Sequence, residues 1–244
     1  MCNALEHGVS EFHLDREPAW WRWRDLPSEV FTSTTLVKLS LGTRLRCQGI
    51  PSDTSLPALR ILFLNSIWFE EDQSFDVFLA ACPALEDLTI HYKVYQGHSY
   101  VISSKTIKKL SVTFSFGFDF AFSRIISFDT PNVIHFYYSD YIWWESPQCR
   151  LDSFAKATLD LHFFNDDKRY VKNGADMTDL ISRIRNVKNL HLTSSIVEVN
   201  TCGLPVFNNL VDLVFSSKQK GWKLLLPRLL HCSLYDIGLL DPPE

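Results

Sequence analysis

A six-position phrase, apolar-x-x-apolar-x-apolar, recurs along most of the chain. It stands plainly as Leu36-Val-Lys-Leu39-Ser-Leu41, Leu59-Arg-Ile-Leu62-Phe-Leu64, Leu85-Glu-Asp-Leu88-Thr-Ile90, Ile107-Lys-Lys-Leu110-Ser-Val112, Val187-Lys-Asn-Leu190-His-Leu192 and Leu210-Val-Asp-Leu213-Val-Phe215. Looser copies are Val9-Ser-Glu-Phe12-His-Leu14, Val133-Ile-His-Phe136-Tyr-Tyr138 and Phe154-Ala-Lys-Ala157-Thr-Leu159. The last three positions alternate, which predicts a short strand with its fourth and sixth positions inward and its fifth outward. The first apolar residue enters the same core from the preceding turn. Strands are therefore expected near 9–14, 36–41, 59–64, 85–90, 107–112, 133–138, 154–159, 187–192 and 210–215.

All but one of the steps between copies fall in the window of about 20–29 residues that marks a leucine-rich repeat. The long step, from 154 to 187, contains Asn165-Asp-Asp-Lys168, which reads as a loop, and Met177-Thr-Asp-Leu180-Ile-Ser-Arg-Ile184, which has helical spacing. One unit cannot bury its apolar face alone, so the units must stack strand beside strand. The predicted fold is α/β: a single leucine-rich-repeat solenoid, or horseshoe, spanning 1–244 in about nine units. Its parallel sheet forms the concave face, short helices or loops the convex face, and 231–244 an irregular tail. An ordinary α/β sheet, apolar on both faces, conflicts with the polar residues interleaved in most copies. Between strands, Ser74 is placed to N-cap a short helix with an apolar stripe at Phe75, Phe78 and Leu79. Pro57, Pro83, Pro131 and Pro205 each precede a repeat strand, where proline ends a helix and favours extended geometry.

Composition narrows the function. The 244 residues carry 24 Lys+Arg against 28 Asp+Glu, a net charge of −4 that disfavours nucleic acid as a partner. Cys2, Cys47, Cys82, Cys149, Cys202 and Cys232 form no CxxC pair and read as buried thiols. The first twenty residues carry charges where a signal peptide needs an apolar core, and no apolar run approaches the ~20 residues of a membrane span. Cytosol or nucleus is the expected location, with no membrane partner.

Several phrases are more specific than the repeat. Leu26-Pro-Ser-Glu-Val30-Phe31-Thr-Ser-Thr-Thr35-Leu36, Ser55-Leu-Pro57-Ala-Leu59, Leu79-Ala-Ala-Cys82-Pro83-Ala-Leu85-Glu86-Asp-Leu88, Thr130-Pro131-Asn132-Val133 and Gly221-Trp222-Lys-Leu-Leu-Leu226-Pro227-Arg-Leu229-Leu230 together resemble plant F-box/leucine-rich-repeat proteins of the FBD-associated group, from about Ala4 to about Leu230. The resemblance implies that the repeats recognise a protein substrate, while an F-box binds a Skp1-type subunit of a cullin ubiquitin ligase and an FBD region closes the chain. Here Met1 stands almost directly on the first repeat and Glu244 follows soon after the last. The expectation is a repeat region without F-box or FBD, engaging a Skp1-type subunit only if an F-box is supplied upstream. The alternatives are a degenerate or truncated member that recruits no ligase, or a solenoid binding a small ligand or nucleic acid.

No P-loop, GxGxxG, HExxH or GxSxG phrase occurs, so neither an enzyme nor a cofactor is expected. His13 and His191 share one strand slot but sit near opposite ends of the array, too far apart to share a metal. Asp166-Asp167 and Glu70-Glu71-Asp72 lack the alternating ligands and glycine of a calcium loop. Trp20-Trp21-Arg22-Trp23-Arg24 could stack nucleobases, but flanked by Glu17 and Asp25 it reads better as the cap of the first repeat. A second aromatic cluster comprises Tyr137, Tyr138, Tyr141, Trp143 and Trp144. Carried through every copy, the alternation lines the concave face with Glu11 and His13, Lys38 and Ser40, Ile61 and Phe63, Asp87 and Thr89, Lys109 and Ser111, His135 and Tyr137, Lys156 and Thr158, Asn189 and His191, Asp212 and Val214. Ile61, Phe63, Thr89, Ser111, His135, Tyr137 and His191 are the candidate protein-binding residues, with no catalytic, cofactor or metal residue. Ile61, Phe63 and Tyr137 stand out because solubility does not explain them.

Overall fold

The computed structural model describes residue 5 and residues 7–15, 23–42, 45–70, 74–92, 100–115, 126–141, 147–150, 155–162, 178–194 and 206–216. In chain order the strands are β1 (Glu11–Leu14), β2 (Arg24–Asp25), β3 (Lys38–Leu41), β4 (Leu45–Cys47), β5 (Ile61–Asn65), β6 (Trp68–Phe69), β7 (Asp87–Tyr92), β8 (Tyr100–Ser103), β9 (Lys109–Phe114), β10 (Ile126–Asp129), β11 (His135–Tyr141), β12 (Gln148–Arg150), β13 (Lys156–His162), β14 (Asn189–Ser194) and β15 (Asp212–Ser216). The helices α1 (Ser74–Ala80) and α2 (Thr178–Arg183) and a 3-10 turn at Ser28–Phe31 lie between them. Each of the nine recurring phrases contributes one strand to a nine-stranded sheet, in the order β1-β3-β5-β7-β9-β11-β13-β14-β15, with every pair parallel.

Equivalent phrase positions stand side by side, so the inward residues form two continuous rows. One runs Phe12, Leu39, Leu62, Leu88, Leu110, Phe136, Ala157, Leu190, Leu213, and the other Leu14, Leu41, Leu64, Ile90, Val112, Tyr138, Leu159, Leu192, Phe215. From β3 to β14 all of these side chains are buried, whereas the two edge strands hold theirs only half-buried against the same core. The first phrase position supplies a third buried row before the strands: Leu36, Leu59, Leu85, Ile107, Val133 and Val187. Burying such a side chain contributes about 1.5–3 kcal/mol, available to each unit only through its neighbours.

A repeated backbone contact sets the stacking distance at the start of the strands. The carbonyl just before one strand accepts two successive N–H groups of the next unit: Ser10 from Val37 and Lys38, Val37 from Arg60 and Ile61, Arg60 from Glu86 and Asp87, Glu86 from Lys108 and Lys109. The series continues with Lys108 to Ile134 and His135, Ile134 to Ala155 and Lys156, Ala155 to Lys188 and Asn189, and Lys188 to Val211 and Asp212, all at 2.7–3.1 Å. Both lone pairs of each of these oxygens are thereby used where the chain turns into the strand.

The convex side departs from the expectation of helices and loops alone. It also carries two three-stranded parallel sheets, β2-β4-β6 and β12-β10-β8. Their alternation sends Leu45, Cys47, Phe69, Ile102, Ile126, Phe128 and Cys149 into the core. The short helix at α1 buries Phe75, Phe78 and Leu79, but Ser74 does not act as its cap. It sits inside the first turn, 3% exposed, with no hydrogen-bond partner for its hydroxyl among the described residues. The repeat strands start at the third phrase position, not the first, and several run past the sixth. The 165–168 loop and the 231–244 tail lie outside the described residues.

Candidate interaction surface on the concave sheet

Because pleating alternates side chains, the concave face of the nine-stranded sheet carries its own rows. The first runs Glu11, Lys38, Ile61, Asp87, Lys109, His135, Lys156, Asn189, Asp212. Neighbouring charges pair across strands, Lys38 with Glu11 and Lys109 with Asp87 at 3.5 Å, and the amide of Asn189 donates to Asp212 at 3.4 Å. These pairs are solvent-exposed, worth at most about 1 kcal/mol each, and contribute more to solubility than to stability. Ile61 breaks the polar sequence of the row with 40% of its surface exposed.

The second row is His13, Ser40, Phe63, Thr89, Ser111, Tyr137, Thr158, His191, Val214. Phe63 is half-buried and meets His91 edge to face, with centroids 5.1 Å apart and planes at 78°. Thr89, Ser111, Tyr137 and His191 are also half-buried, and His135 is exposed. Phe63 and Tyr137 lie three strand steps apart in one row, about 14 Å. The seven candidate residues thus lie on one face in two adjacent rows, with Ile61 two residues before Phe63 on β5. Ser40 needs correction as a lining residue. It keeps its concave position but is 8% exposed, because its hydroxyl is held 2.7 Å from the His13 ring between His13 and Phe63.

The strands also present a third row that the six-position phrase does not reach: Asn65, His91, Thr113, Ser139, Asp160 and Thr193, continued by Ser216. The signal was present as continued alternation in Ile90-His91-Tyr92, Val112-Thr113-Phe114 and Leu159-Asp160-Leu161. Within this row Ser139 is buried, and Asp160 accepts from His162 of the same strand at 3.2 Å, an ion pair only when that imidazole is protonated.

Away from this face, Trp23 rests edge-on against Trp68 at 5.6 Å and, with Arg24 in β2, belongs to the convex layer. Trp20, Trp21 and Arg22 lie outside the described residues, as do Trp143, Trp144, Glu71, Asp72, Asp166, Asp167, Cys2, Cys202 and Cys232. Cys47, Cys82 and Cys149 are buried thiols, with no disulfide among the described residues. The Cys82 thiol donates to the Phe78 carbonyl, and burial pushes its pKa up to about 12. Among the described residues, no group of three or more His, Cys, Asp and Glu side chains is arranged to hold a metal, and no helix is long and apolar enough to cross a membrane.

A parallel sheet built from in-register leucine-rich phrases, with an open concave face, defines a leucine-rich-repeat solenoid. The chain belongs to the family of leucine-rich repeats of FBD-associated F-box proteins, whose model, described for F-box protein At5g56370, matches residues 3–214. Among Arabidopsis thaliana proteins, the putative F-box protein At3g44060 is 56% identical over 238 residues, covering 96% of this chain and 55% of that protein. The putative F-box/LRR-repeat protein At3g42770 is 53% identical over 236 residues, covering 95% and 42%. F-box/LRR-repeat protein At3g60040 is 42% identical over 231 residues, covering 92% and 50%. The chain spans about half the length of the curated relatives it matches. No solved structure matches it.

Proposed function

We propose that the concave sheet recognises a protein, as the substrate-binding part of an F-box ubiquitin-ligase adaptor, and that Ile61, Phe63 and Tyr137 anchor the contact. The reading rests above all on apolar and aromatic side chains standing on the solvent face of a sheet whose inner face already fills the core. Thr89, Ser111, His135 and His191 are the adaptable polar contacts around them. The relatives' description as F-box proteins supports the adaptor role, and the Skp1-type subunit joins where an F-box is supplied. The chain works by binding, without catalysis or cofactor, in cytosol or nucleus.

Affinity capture from plant extract with the wild-type chain and with a Phe63→Asp/Tyr137→Asp variant tests this. Loss of a central aromatic anchor costs about 2 kcal/mol or more, or roughly a thirtyfold drop in affinity. A specific protein should disappear from the variant's eluate while circular dichroism stays unchanged. Retention of every specific partner by the variant would overturn the assignment of the anchors, and capture of a Skp1-type subunit by this chain alone would overturn the dependence on an F-box.

A further inference from the structure

The residues that precede the strands form a line of their own along the edge of the sheet. From the third to the sixth unit they are Arg60, Glu86, Lys108 and Ile134, and with side chains from the preceding turns, among them Lys105 and Asn132, they wall a groove of about 540 Å3. This edge is not the concave face. Its walls are partly fixed, since the Asn132 amide donates to the Lys105 carbonyl at 2.7 Å and the Lys108 ammonium to the Glu86 carboxylate at 3.0 Å. That bond and the charge of Lys108 hold the Glu86 carboxyl below the usual range against partial desolvation, and Arg60 adds to the effect.

The charge of the groove is opposite to that of the chain. Its described lining has three cations and one carboxylate, whereas the protein as a whole carries −4. Glu86 pairs with Lys108, while the guanidinium of Arg60 and the ammonium of Lys105 make no hydrogen bond or salt bridge among the described residues. Ile134, 40% exposed, adds an apolar patch at one end. Three strand steps give a span of about 14 Å, room for about four residues of extended chain. The backbone along this edge is already saturated by the two-donor carbonyls, so a ligand cannot add itself as a strand and must be recognised through side chains.

We propose that this groove binds a short, extended, acidic segment of a partner protein. Its carboxylates would sit on Arg60, Lys105 and Lys108, and an apolar side chain on Ile134. Guanidinium presents a fork that matches a carboxylate, and the ammonium groups act as point charges beside it. A short acidic segment feels mainly these local cations. A long polyanion such as nucleic acid would also meet the net negative charge of the remaining surface.

Fluorescence anisotropy on the full chain at low salt tests the proposal, with a short labelled peptide alternating glutamate and leucine as probe. Binding should saturate and weaken as salt rises. The Arg60→Glu/Lys105→Glu variant should lose about tenfold in affinity, on the order of two exposed ion pairs. Removing the opposing carboxylate with Glu86→Gln should tighten binding by about twofold, a gain that damage to the fold would not produce. Lys105→Glu alone, at an exposed turn, should fall between wild type and the double variant, and Lys156→Glu on the concave sheet should bind like wild type. Unchanged affinity in the double variant, equal binding of a lysine-leucine peptide, tighter binding of a single-stranded DNA oligonucleotide, or loss of binding in Lys156→Glu would each overturn it.

Discussion

The core is filled differently in two neighbouring stretches of the sheet. In β3, β5 and β7 the sheet contributes aliphatic side chains, Leu39, Leu41, Leu62, Leu64, Leu88 and Ile90, and the rings come from the convex side as Phe31, Phe69, Phe75 and Phe78. From the end of β7 to β11 the sheet itself contributes rings, Tyr92, Phe114, Phe136 and Tyr138, facing Phe128 from β10. Tyr92 stacks on Phe114 at 4.8 Å, Phe136 on Tyr138 at 6.1 Å, and Phe128 meets both Phe136 and Tyr138 edge to face. The parallel register is the same in both stretches. The repeat therefore demands a filled volume at each step, not leucine as such.

The aromatic stretch has an added polar requirement. A buried phenol needs an acceptor, and Tyr138 donates to the buried carboxylate of Asp140 at 2.6 Å, on a strand position that in β13 carries Leu161. That pair links two buried polar groups in a way the leucine stretch has no need of.

The comparison can be broken by deletion. Phe128→Ala should lower unfolding free energy by about 4 kcal/mol and Leu62→Ala by about 3 kcal/mol, both read from denaturant midpoints. A Phe128→Ala cost clearly below that of Leu62→Ala would mean that the aromatic stretch is loosely packed. Tyr138→Phe keeps the ring and removes the donor to Asp140, and should cost about 2 kcal/mol at neutral pH. A neutral result would show that the other surroundings of the carboxylate suffice. Cys82 gives a smaller, pH-dependent effect in the leucine stretch. Its thiol is raised from 9.0 to about 12 by burial, so the unfolded chain ionises first and stability should fall between about pH 9 and 12 but not below. Wild type minus Cys82→Ala isolates that slope, and native protein should resist iodoacetamide at Cys82 at pH 8. Lys108→Ala, on the rim, should change stability by less than about 0.5 kcal/mol.

Much of this architecture is legible in sequence because a leucine-rich phrase states both a strand and its inward side. Leu62 and Leu64 alternate with Ile61 and Phe63, and pleating turns that alternation into faces. A six-residue template, however, stops at Ile90 and Val112, although β7 and β9 continue to Tyr92 and Phe114, so the third concave row falls outside it. The convex strands are two to four residues long, too short for periodicity to distinguish from loop. Ser40 could not be read as covered, because the cover comes from His13, 27 residues earlier. The groove at Arg60 and Lys105 was hidden for a related reason. Its cations become neighbours only once units stack.

The shared carbonyls before each strand bear on what substitution can do to this molecule. Proline at Lys38, Ile61, Asp87 or Lys109 would delete one of the two donors and tear a seam between units, whereas almost any other residue there leaves the seam intact. Geometry along that edge is written in the main chain and chemistry in the side chains, and the two are independent. A lineage could rewrite Val37, Arg60, Glu86, Lys108 and Ile134 one letter at a time, changing what the edge recognises while the spacing of the letters stays constant.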